Sequence, residues 1–319
     1  MISNFAFVFP GQGSQSVGML DAWGDHPIVR ATLQEASDSI DQDLFALIKQ
    51  GPKEELALTT NTQPVMLAAG VAAYRVWINE TGLQPQFVAG HSLGEYSALV
   101  ASEVLSLTQA VPLVKYRAQA MQEAVPIGMG AMAAILGMPS HEVVRHCKEI
   151  SSKLSTNSMD VVEAVNFNDM SQTVIAGSKI AVDQACEVLK SNGAKRAILI
   201  PVSAPFHSSL MKPAAEKLRV KLDELTIGES KIPLINNIDV SCETEGNKIK
   251  DALYRQAFGA VRWVECIQAM KNRDVQLIVE SGPGKVLTGM VKRIDVDLLG
   301  LGLFDLASLD EVKKTVGES

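Results

Sequence analysis

The sequence predicts an α/β fold in which a large domain with a parallel sheet is interrupted by a smaller insert. Short apolar runs alternate with longer helical patterns along most of the chain, as in sheets whose parallel strands are joined by helices. Between about residues 130 and 202 the order becomes strand, helix, strand, strand, helix, strand, which is the ferredoxin-like order. We therefore expect a large domain from residues 1–127 and 205–319 and an inserted ferredoxin-like subdomain from residues 128–204.

Strands are expected where mainly apolar runs are short, and helices where apolar residues recur three or four positions apart. The expected strands of the large domain are 4–9, 86–90 and 275–280, with a weaker candidate at 232–240. Its expected helices are 12–23, 27–39, 63–80, 93–102, 108–124, 209–225, 251–257, 262–272 and 285–293. The subdomain should run through strand 131–137, helix 139–151, strands 161–167 and 171–176, helix 179–192 and strand 196–201. The segment from Asp295 to Ser319 is assigned no role.

The composition is that of a globular enzyme. With 319 residues, 47% of them hydrophobic, the chain can bury a sizeable core. No apolar run reaches the length of a membrane span, and the chain opens on a strand rather than a signal peptide. The four widely spaced cysteines form no C-x-x-C pair and are expected to be reduced thiols of a cytoplasmic protein. The net charge of −7 argues against nucleic acid, so neither nucleic acid nor a membrane is expected as a partner.

The strongest functional signal is the pentapeptide Gly90-His91-Ser92-Leu93-Gly94, which lies between an expected strand and an expected helix. A G-x-S-x-G sequence in this position is typical of the nucleophile elbow of hydrolase-like α/β enzymes, in which a sharp turn exposes the serine oxygen. The same turn aims the amide of Leu93 at an oxyanion forming above Ser92. A glycine-rich turn that serves packing alone is the alternative, and the flanking strand and helix count against it.

Ser92 requires a general base, and His207 is the best placed of the five histidines. It follows the last expected strand of the subdomain, where the chain returns to the large domain and a cleft is expected. The order serine then histidine also matches the hydrolase-like elbow enzymes. The other histidines lie in a loop, on the polar side of a subdomain helix, or beside Ser92 with the side chain directed away (His26, His141, His146 and His91). A histidine that is merely hydrogen-bonded in a loop remains the alternative.

A second oxyanion donor could come from the segment Pro10–Gln15, which follows the first expected strand. Exposed amides at such a turn bind developing negative charge well. The segment is not a dinucleotide fingerprint, because the G-x-G-x-x-G spacing fails after Gly13. A simple structural turn is an equally good interpretation.

Arg117 lies on the apolar side of the helix expected at 108–124. A guanidinium in apolar surroundings must be paired, because an unpaired buried charge is very costly. Its partner is either an internal carboxylate or a carboxylate of the substrate held in a bidentate fork. An acyl group that ends in a carboxylate would satisfy both Ser92 and Arg117.

Five blocks of sequence occur in order along nearly the whole chain: Phe7–Gln15, Gly90–Ala98, Met121–Pro126, Val165–Asn168 and Gly282–Leu287. Together they resemble the malonyl-CoA:acyl carrier protein transacylases of bacterial fatty acid synthesis. The resemblance implies that malonyl-CoA acylates the serine and that the phosphopantetheine thiol of acyl carrier protein then takes the malonyl group, without a metal or a bound cofactor. It implies these roles: Ser92 as nucleophile, His207 as base, the amides of Gln12 and Leu93 as oxyanion donors, Arg117 as carboxylate ligand, and the backbone carbonyl of Gln256 as the group that orients the histidine.

Two positions depart from the family pattern. The family's Pro-Gly-Gln turn is replaced by Asp169–Gln172, which changes a loop near the expected cleft. The residue before the base is Phe206, where the bacterial enzymes often have serine. In related polyketide acyltransferase domains phenylalanine there accompanies malonyl and serine accompanies methylmalonyl, so Phe206 implies an unbranched malonyl group. Met121 is expected to line the acyl pocket together with Phe206.

The expected carrier protein is strongly acidic and this chain is itself acidic, so docking requires a local basic patch. Lys195 and Arg196 are the first choice, and Lys285, Lys292 and Arg293 are the second. A carboxylesterase or thioesterase remains open as a rival, although it would need neither a charge on an apolar helix face nor an insert. A non-enzymatic docking protein would be expected to lack Ser92 or His207, and both are present. The protein is expected to be a monomer.

Overall fold

The computed structural model describes residues 2–154, 159–202 and 204–317, and these contain nine strands and thirteen α-helices. The strands are β1 (Phe5–Phe9), β2 (Phe87–Gly90), β3 (Gly130–Leu136), β4 (Val162–Asp169), β5 (Gln172–Ser178), β6 (Arg196–Leu199), β7 (Leu234–Ile235), β8 (Leu277–Ser281) and β9 (Leu299–Leu303). The helices are α1 (Pro27–Asp38), α2 (Leu44–Gln50), α3 (Lys53–Ala57), α4 (Thr59–Thr81), α5 (Gly94–Ala101), α6 (Leu107–Glu123), α7 (Ser140–Lys153), α8 (Lys179–Ser191), α9 (Lys212–Glu224), α10 (Gly246–Gln256), α11 (Trp263–Lys271), α12 (Val286–Ile294) and α13 (Leu306–Val316).

Contacts between residues divide the chain into two units. Unit 1 consists of Met1–Ala118, Leu225–Ile249 and Cys266–Ser319. Unit 2 consists of Gln119–Glu224 and Lys250–Glu265.

Unit 1 is built on a five-stranded sheet with the order β7-β2-β1-β8-β9, in which all neighbours are parallel. The central strand β1 is buried along its whole length. Phe7 and Phe9 pack edge-on against Tyr74 of α4, and Phe5 packs edge-on against Trp77 of the same helix. Burial on both faces of a parallel sheet explains why β1 is a continuous apolar run rather than an alternating one.

The segments that contain the predicted nucleophile and oxyanion donors lie at one edge of this sheet. Strands β1, β2 and β7 are neighbours and run in the same direction, so their carboxyl ends meet at one edge. Open α/β sheets bind their ligands at this edge. The three segments that leave it here are Pro10–Gln15 after β1, the Ser92 turn after β2, and Asn236-Asn237 after β7.

Unit 2 contains a four-stranded antiparallel sheet with the order β4-β5-β3-β6. With α7 after β3 and α8 after β5, this is the ferredoxin-like arrangement that the sequence predicts. The two helices pack with the sheet around one apolar cluster, which includes Ile135, Val143, Ile175 and Leu189. The prediction of a parallel sheet together with an inserted ferredoxin-like antiparallel sheet is therefore confirmed.

One prediction about secondary structure is wrong, and some elements were not predicted. The helix expected at 12–23 is replaced by turns and a 3-10 helix at Asp21–Trp23, because Gly13 and Gly18 adopt positive φ angles that end a helical run. The segment after Asp295 has a structural role, since β9 pairs with β8 and α13 follows it. The alternating glycines of the β9 sequence LGLGL weaken the strand signal. Helices α2 and α3 were also not predicted.

None of the described residues forms a helix long and apolar enough to cross a membrane. Over the same parts of the chain, no group of three or more histidine, cysteine or acidic residues is arranged to hold a metal ion.

The contribution of β9 to stability can be tested with two substitutions on the same strand. Leu303 is 0% exposed, whereas Leu299 is 41% exposed. We expect Leu303→Ala to lower the free energy of unfolding by about 2–5 kcal/mol, because it removes buried methylene groups and leaves a cavity. Leu299→Ala is the matched control and should cost much less. Urea titration followed by circular dichroism measures both values, and equal losses would contradict the assignment of Leu303 to the core.

Candidate active site

The turn between β2 and α5 has the geometry of a nucleophile elbow. Ser92 adopts a positive φ of 53°, a backbone conformation that is uncommon for a residue other than glycine. A Cβ atom on Gly90 would lie 1.8 Å from the carbonyl carbon of Gly94, and one on Gly94 would lie 2.0 Å from the carbonyl oxygen of Phe9. Both flanking positions therefore require glycine. Leu93 is buried and immediately precedes the first residue of α5.

Asn237 fixes this turn from the neighbouring strand end. Its Oδ1 accepts a hydrogen bond of 2.8 Å from the backbone N–H of Ser92, and its Nδ2 donates one of 2.7 Å to the carbonyl of Gly90. Its own backbone N–H donates to Oε2 of Glu95 at 2.9 Å. Asn237 and Glu95 are both buried, so these bonds are shielded from water. The Ser92 amide is thus used for structure, and the role of the Leu93 amide as an oxyanion donor stays a prediction.

Arg117 of α6 reaches this turn. Its Nη2 lies 3.4 Å from the hydroxyl oxygen of Ser92, and its Nη1 donates a hydrogen bond of 2.9 Å to Oε1 of Gln63 in α4. The guanidinium carbon lies 5.4 Å from the centre of the Tyr96 ring, within the range of a cation–π contact. The expectation that Arg117 lies in buried surroundings agrees with its exposed fraction of 2%.

The electrostatic environment of Arg117 is set by burial. Burial lowers the pKa of the Arg117 guanidinium from its usual value, and the nearby Tyr96 and Glu95 oppose this shift. Burial also raises the pKa of Tyr96 to about 12, against the effect of Arg117. The ring of Tyr96 is therefore a neutral phenol at physiological pH. A charged group in such a site interacts more strongly with an incoming anion than it would in water.

The segment after β1 lies close to the elbow. A Cβ atom on Gly11 would lie 2.7 Å from the carbonyl oxygen of His91, so the two backbones are in contact. The side chain of Gln12 donates a hydrogen bond of 3.3 Å to Oγ1 of Thr59. The backbone N–H of Gly13 donates to the side chain of Gln15 at 2.7 Å. The role of the Gln12 amide as an oxyanion donor stays a prediction.

Within unit 2, His207 is held by a backbone carbonyl. It is 4% exposed and adopts a positive φ of 65°. Its Nδ1 lies 2.8 Å from the carbonyl oxygen of Gln256. Because a carbonyl oxygen only accepts hydrogen bonds, Nδ1 carries a proton, and in the neutral form of such a ring Nε2 is the acceptor. This is the contact that the family resemblance implies for Gln256.

The other predicted site residues of unit 2 differ in their exposure. Phe206 packs against an apolar cluster on the sheet that contains Met132, Val165, Val174 and Ala176. Met121 of α6 is buried. Lys195 and Arg196, at the start of β6, are exposed. Of the histidines that the sequence assigned to polar surfaces, His141 is exposed, but His146 is buried and its Nε2 lies 2.9 Å from Nη2 of Arg145.

Two residues at the site were not identified from the sequence, namely Gln63 and Asn237. Gln63 lies on a helix that is buried on nearly every side, so its pattern is that of a core helix. Asn237 follows a strand of only two residues. Its one usable signal is a polar pair, Asn236-Asn237, inside the weak strand candidate 232–240, of which the structure keeps only β7 as a strand.

Comparisons with known proteins agree with this architecture, in which a parallel α/β sheet presents a serine at a nucleophile elbow. A family model described as an acyl transferase domain matches residues 6–294. Malonyl CoA-acyl carrier protein transacylase of Escherichia coli strain K12 is 51% identical over 299 residues, which cover 93% of this chain and 94% of that protein. The chain therefore belongs to the acyl transferase family, and it is an acyltransferase.

Solved structures show the same relationship. Acyl-carrier-protein S-malonyltransferase from Burkholderia pseudomallei superposes with a TM-score of 0.94 at 56% identity, over 98% of this chain and 99% of that chain. A malonyl-transacylase in complex with a type II polyketide synthase acyl-carrier protein superposes with a TM-score of 0.94 at 46% identity, over 98% of this chain and all of the other (100%).

Proposed function

We propose that the protein transfers the malonyl group from malonyl-CoA to the phosphopantetheine thiol of acyl carrier protein, through a malonyl ester of Ser92, in fatty acid biosynthesis. The observation that carries the proposal is the distance of 3.4 Å between Nη2 of Arg117 and the hydroxyl oxygen of Ser92. A substrate bound at both groups needs a carboxylate and a reactive carbonyl separated by a very short linker. Malonyl, with one methylene group between them, meets this requirement.

In the first step the carboxylate of malonyl-CoA binds Arg117 and Ser92 attacks the thioester carbonyl. His207 takes the serine proton on Nε2, while the carbonyl of Gln256 holds the proton on Nδ1. The amides of Leu93 and Gln12 stabilise the tetrahedral oxyanion. The carbon–sulfur bond then breaks, and CoA leaves as a thiol with the proton from His207.

In the second step the phosphopantetheine thiol gives its proton to His207 and attacks the malonyl ester. The ester bond breaks, Ser92 regains its proton from His207, and malonyl-carrier protein is released. Met121 and Phe206 are proposed to line the acyl pocket, and Phe206 to favour an unbranched malonyl group. The proposed reaction uses no metal and no bound cofactor.

Acylation of Ser92 is the direct test of the first step. Malonyl-CoA should add one malonyl mass to the wild-type protein and none to Ser92→Ala, as measured by intact-mass spectrometry. Cys147 should stay unmodified, because burial and the nearby Glu163 raise the pKa of its thiol to about 12 and keep it protonated. His207→Ala should slow acylation by about 10² to 10⁴-fold, the usual contribution of a general base. A label that persists in Ser92→Ala would overturn the assignment of the nucleophile.

Arg117 should select the acyl group rather than perform the chemistry. Arg117→Ala is expected to reduce kcat/KM for malonyl-CoA by an amount equivalent to about 2–5 kcal/mol, because the carboxylate loses its buried partner. Acetyl transfer should be retained or increased, since acetyl has no carboxylate. Single-turnover acylation with the two thioesters measures both effects. If both rates fell together, Arg117 would have a structural role instead.

Lys195 and Arg196 are proposed as the docking patch for acyl carrier protein. Replacing both with glutamate should raise the apparent KM for the carrier and flatten its salt dependence, because docking would lose its attractive charge. Acylation by malonyl-CoA should be nearly unchanged, since the carrier takes no part in it. Lys285, Lys292 and Arg293 are the second candidate patch, and the same change made there is the matched comparison. Equal damage to both half-reactions would exclude docking as the role of the pair.

Three further features of the protein are also proposals. The insert is taken to span residues 128–204 within the large domain 1–127 and 205–319. A cytoplasmic location is proposed because the described residues form no disulfide, and the cysteines are Cys147, Cys186, Cys242 and Cys266. The proposed monomeric state can be measured by light scattering coupled to size-exclusion chromatography.

A further inference from the structure

We infer that Glu163 is a positioning residue for the general base: its carboxylate ties the backbone directly after His207 to strand β4. The inference deepens the proposed function, because it rests on the role of His207 as the base. Glu163 acts on the reaction through His207 and not through a substrate.

The backbone of His207 needs support from its surroundings. Its φ of 65° is uncommon for a residue other than glycine, and such a conformation persists only where the neighbouring structure holds it. Within the loop, the hydroxyl of Ser208 donates a hydrogen bond of 2.7 Å to the carbonyl of Pro205. This bond spans His207 and stabilises the turn itself. It does not connect the turn to the sheet of unit 2.

Glu163 of β4 makes that connection. Its Oε2 accepts a hydrogen bond of 2.6 Å from the backbone N–H of Ser209, two residues after His207. A bond to an ionised carboxylate is stronger than one between neutral groups. Ser209 begins the 3-10 turn Ser209–Met211, which leads directly into α9. The bond therefore fixes the point at which the loop that carries the base enters the helix.

The same strand holds the segment that orients the imidazole ring. Gln256 is the last residue of α10, and Val261 follows five residues later. The N–H of Val261 donates a hydrogen bond of 2.8 Å to the carbonyl of Val165, and its carbonyl accepts one of 3.0 Å from the N–H of Phe167. Strand β4 is thus bonded to the segments on which both partners of the His207–Gln256 contact lie.

A common anchor for the two segments keeps this contact in register. Without the bond from Glu163, the loop of His207 can shift relative to the carbonyl of Gln256, and the bond to Nδ1 weakens. A neutral ring with its proton on Nδ1 accepts a proton on Nε2, whereas the other tautomer does not. Proton transfer also depends steeply on the placement of the base. Loss of Glu163 should therefore lower the rate of acylation rather than the affinity for substrate.

The spectroscopic test records the ring nitrogens of protein labelled with ¹⁵N-histidine, at alkaline pH. The protein has five histidines, and His207→Ala identifies the signals of the base. In the wild type these signals should be those of the tautomer protonated at Nδ1. Glu163→Ala should move them towards the average of the two tautomers. Glu163→Gln should restore them, because an amide oxygen still accepts the N–H of Ser209.

The kinetic test measures single-turnover acylation by malonyl-CoA for the same variants, read by intact mass. We expect the maximal rate constant of Glu163→Ala to fall on the order of tenfold, less than the loss expected for His207→Ala. The concentration of malonyl-CoA that gives half the maximal rate should stay within about twofold, since Arg117 is untouched. Glu163→Gln should recover most of the lost rate.

Two further variants separate the bond from other effects of the substitution. Ser209→Pro removes the same bond from the donor side, and proline is tolerated at the first residue of a helical turn. It should reproduce the changes of Glu163→Ala, and combining the two should add nothing. Glu187→Ala removes an exposed glutamate from α8 of the same unit and should change neither the signals nor the rate. Circular dichroism melting curves identify any variant that fails to fold.

The inference is overturned if folded Glu163→Ala keeps both the wild-type signals and the wild-type rate, or if Glu163→Gln loses as much as Glu163→Ala. Should Glu163→Ala not fold, wild-type signals in Ser209→Pro overturn it equally. A wild-type protein that is not acylated by malonyl-CoA would overturn the proposed function instead. The histidine signals do not depend on acylation, so the two failures can be distinguished.

Discussion

The site depends on the close approach of three backbones at the carboxyl edge of the parallel sheet. Gly90 and Gly94 lie where any side chain would overlap the facing backbone, and Gly94 rests directly against the end of β1. This contact forces Ser92 into its uncommon backbone conformation, and the bonds from Asn237 keep it there. The surrounding sheet stabilises this strained turn.

The charged and titratable groups near this turn are also held by neutral partners. Arg117 is buried beside the nucleophile and is held by an amide on one side and an aromatic ring on another. A buried charge destabilises a folded protein unless something compensates it. Under the proposed function, the carboxylate of the acyl group would bind this charge. For His207 a backbone carbonyl fixes the tautomer of the ring.

How far the sequence could predict this molecule depends on the range of the interactions. The elbow could be predicted because its tight turn requires two glycines within five residues. Arg117 could be predicted because helical periodicity places its charge among apolar neighbours. Gln63 and Asn237 could not be predicted in this way, because their partners lie 54 and 145 residues away in sequence and no local pattern marks them. The error at residues 12–23 has a local cause that helical periodicity ignores, namely two glycines with positive φ angles. Strand β9 was missed because its glycines dilute the apolar signal, while its pairing with β8 supplies the stability.

The pairing of the central strand has a consequence for synthesis of the protein. Residue 5 of β1 pairs with residue 277 of β8, so the middle of the sheet cannot close until nearly the whole chain has been made. At ribosomal rates of about 5–20 residues per second, this wait lasts roughly 15–55 s. During it the nascent chain holds Phe5–Phe9, a short apolar segment with high β-propensity, without β8, one of its two neighbouring strands in the folded sheet. We expect a chaperone at the ribosome to bind such a segment until β8 has been made.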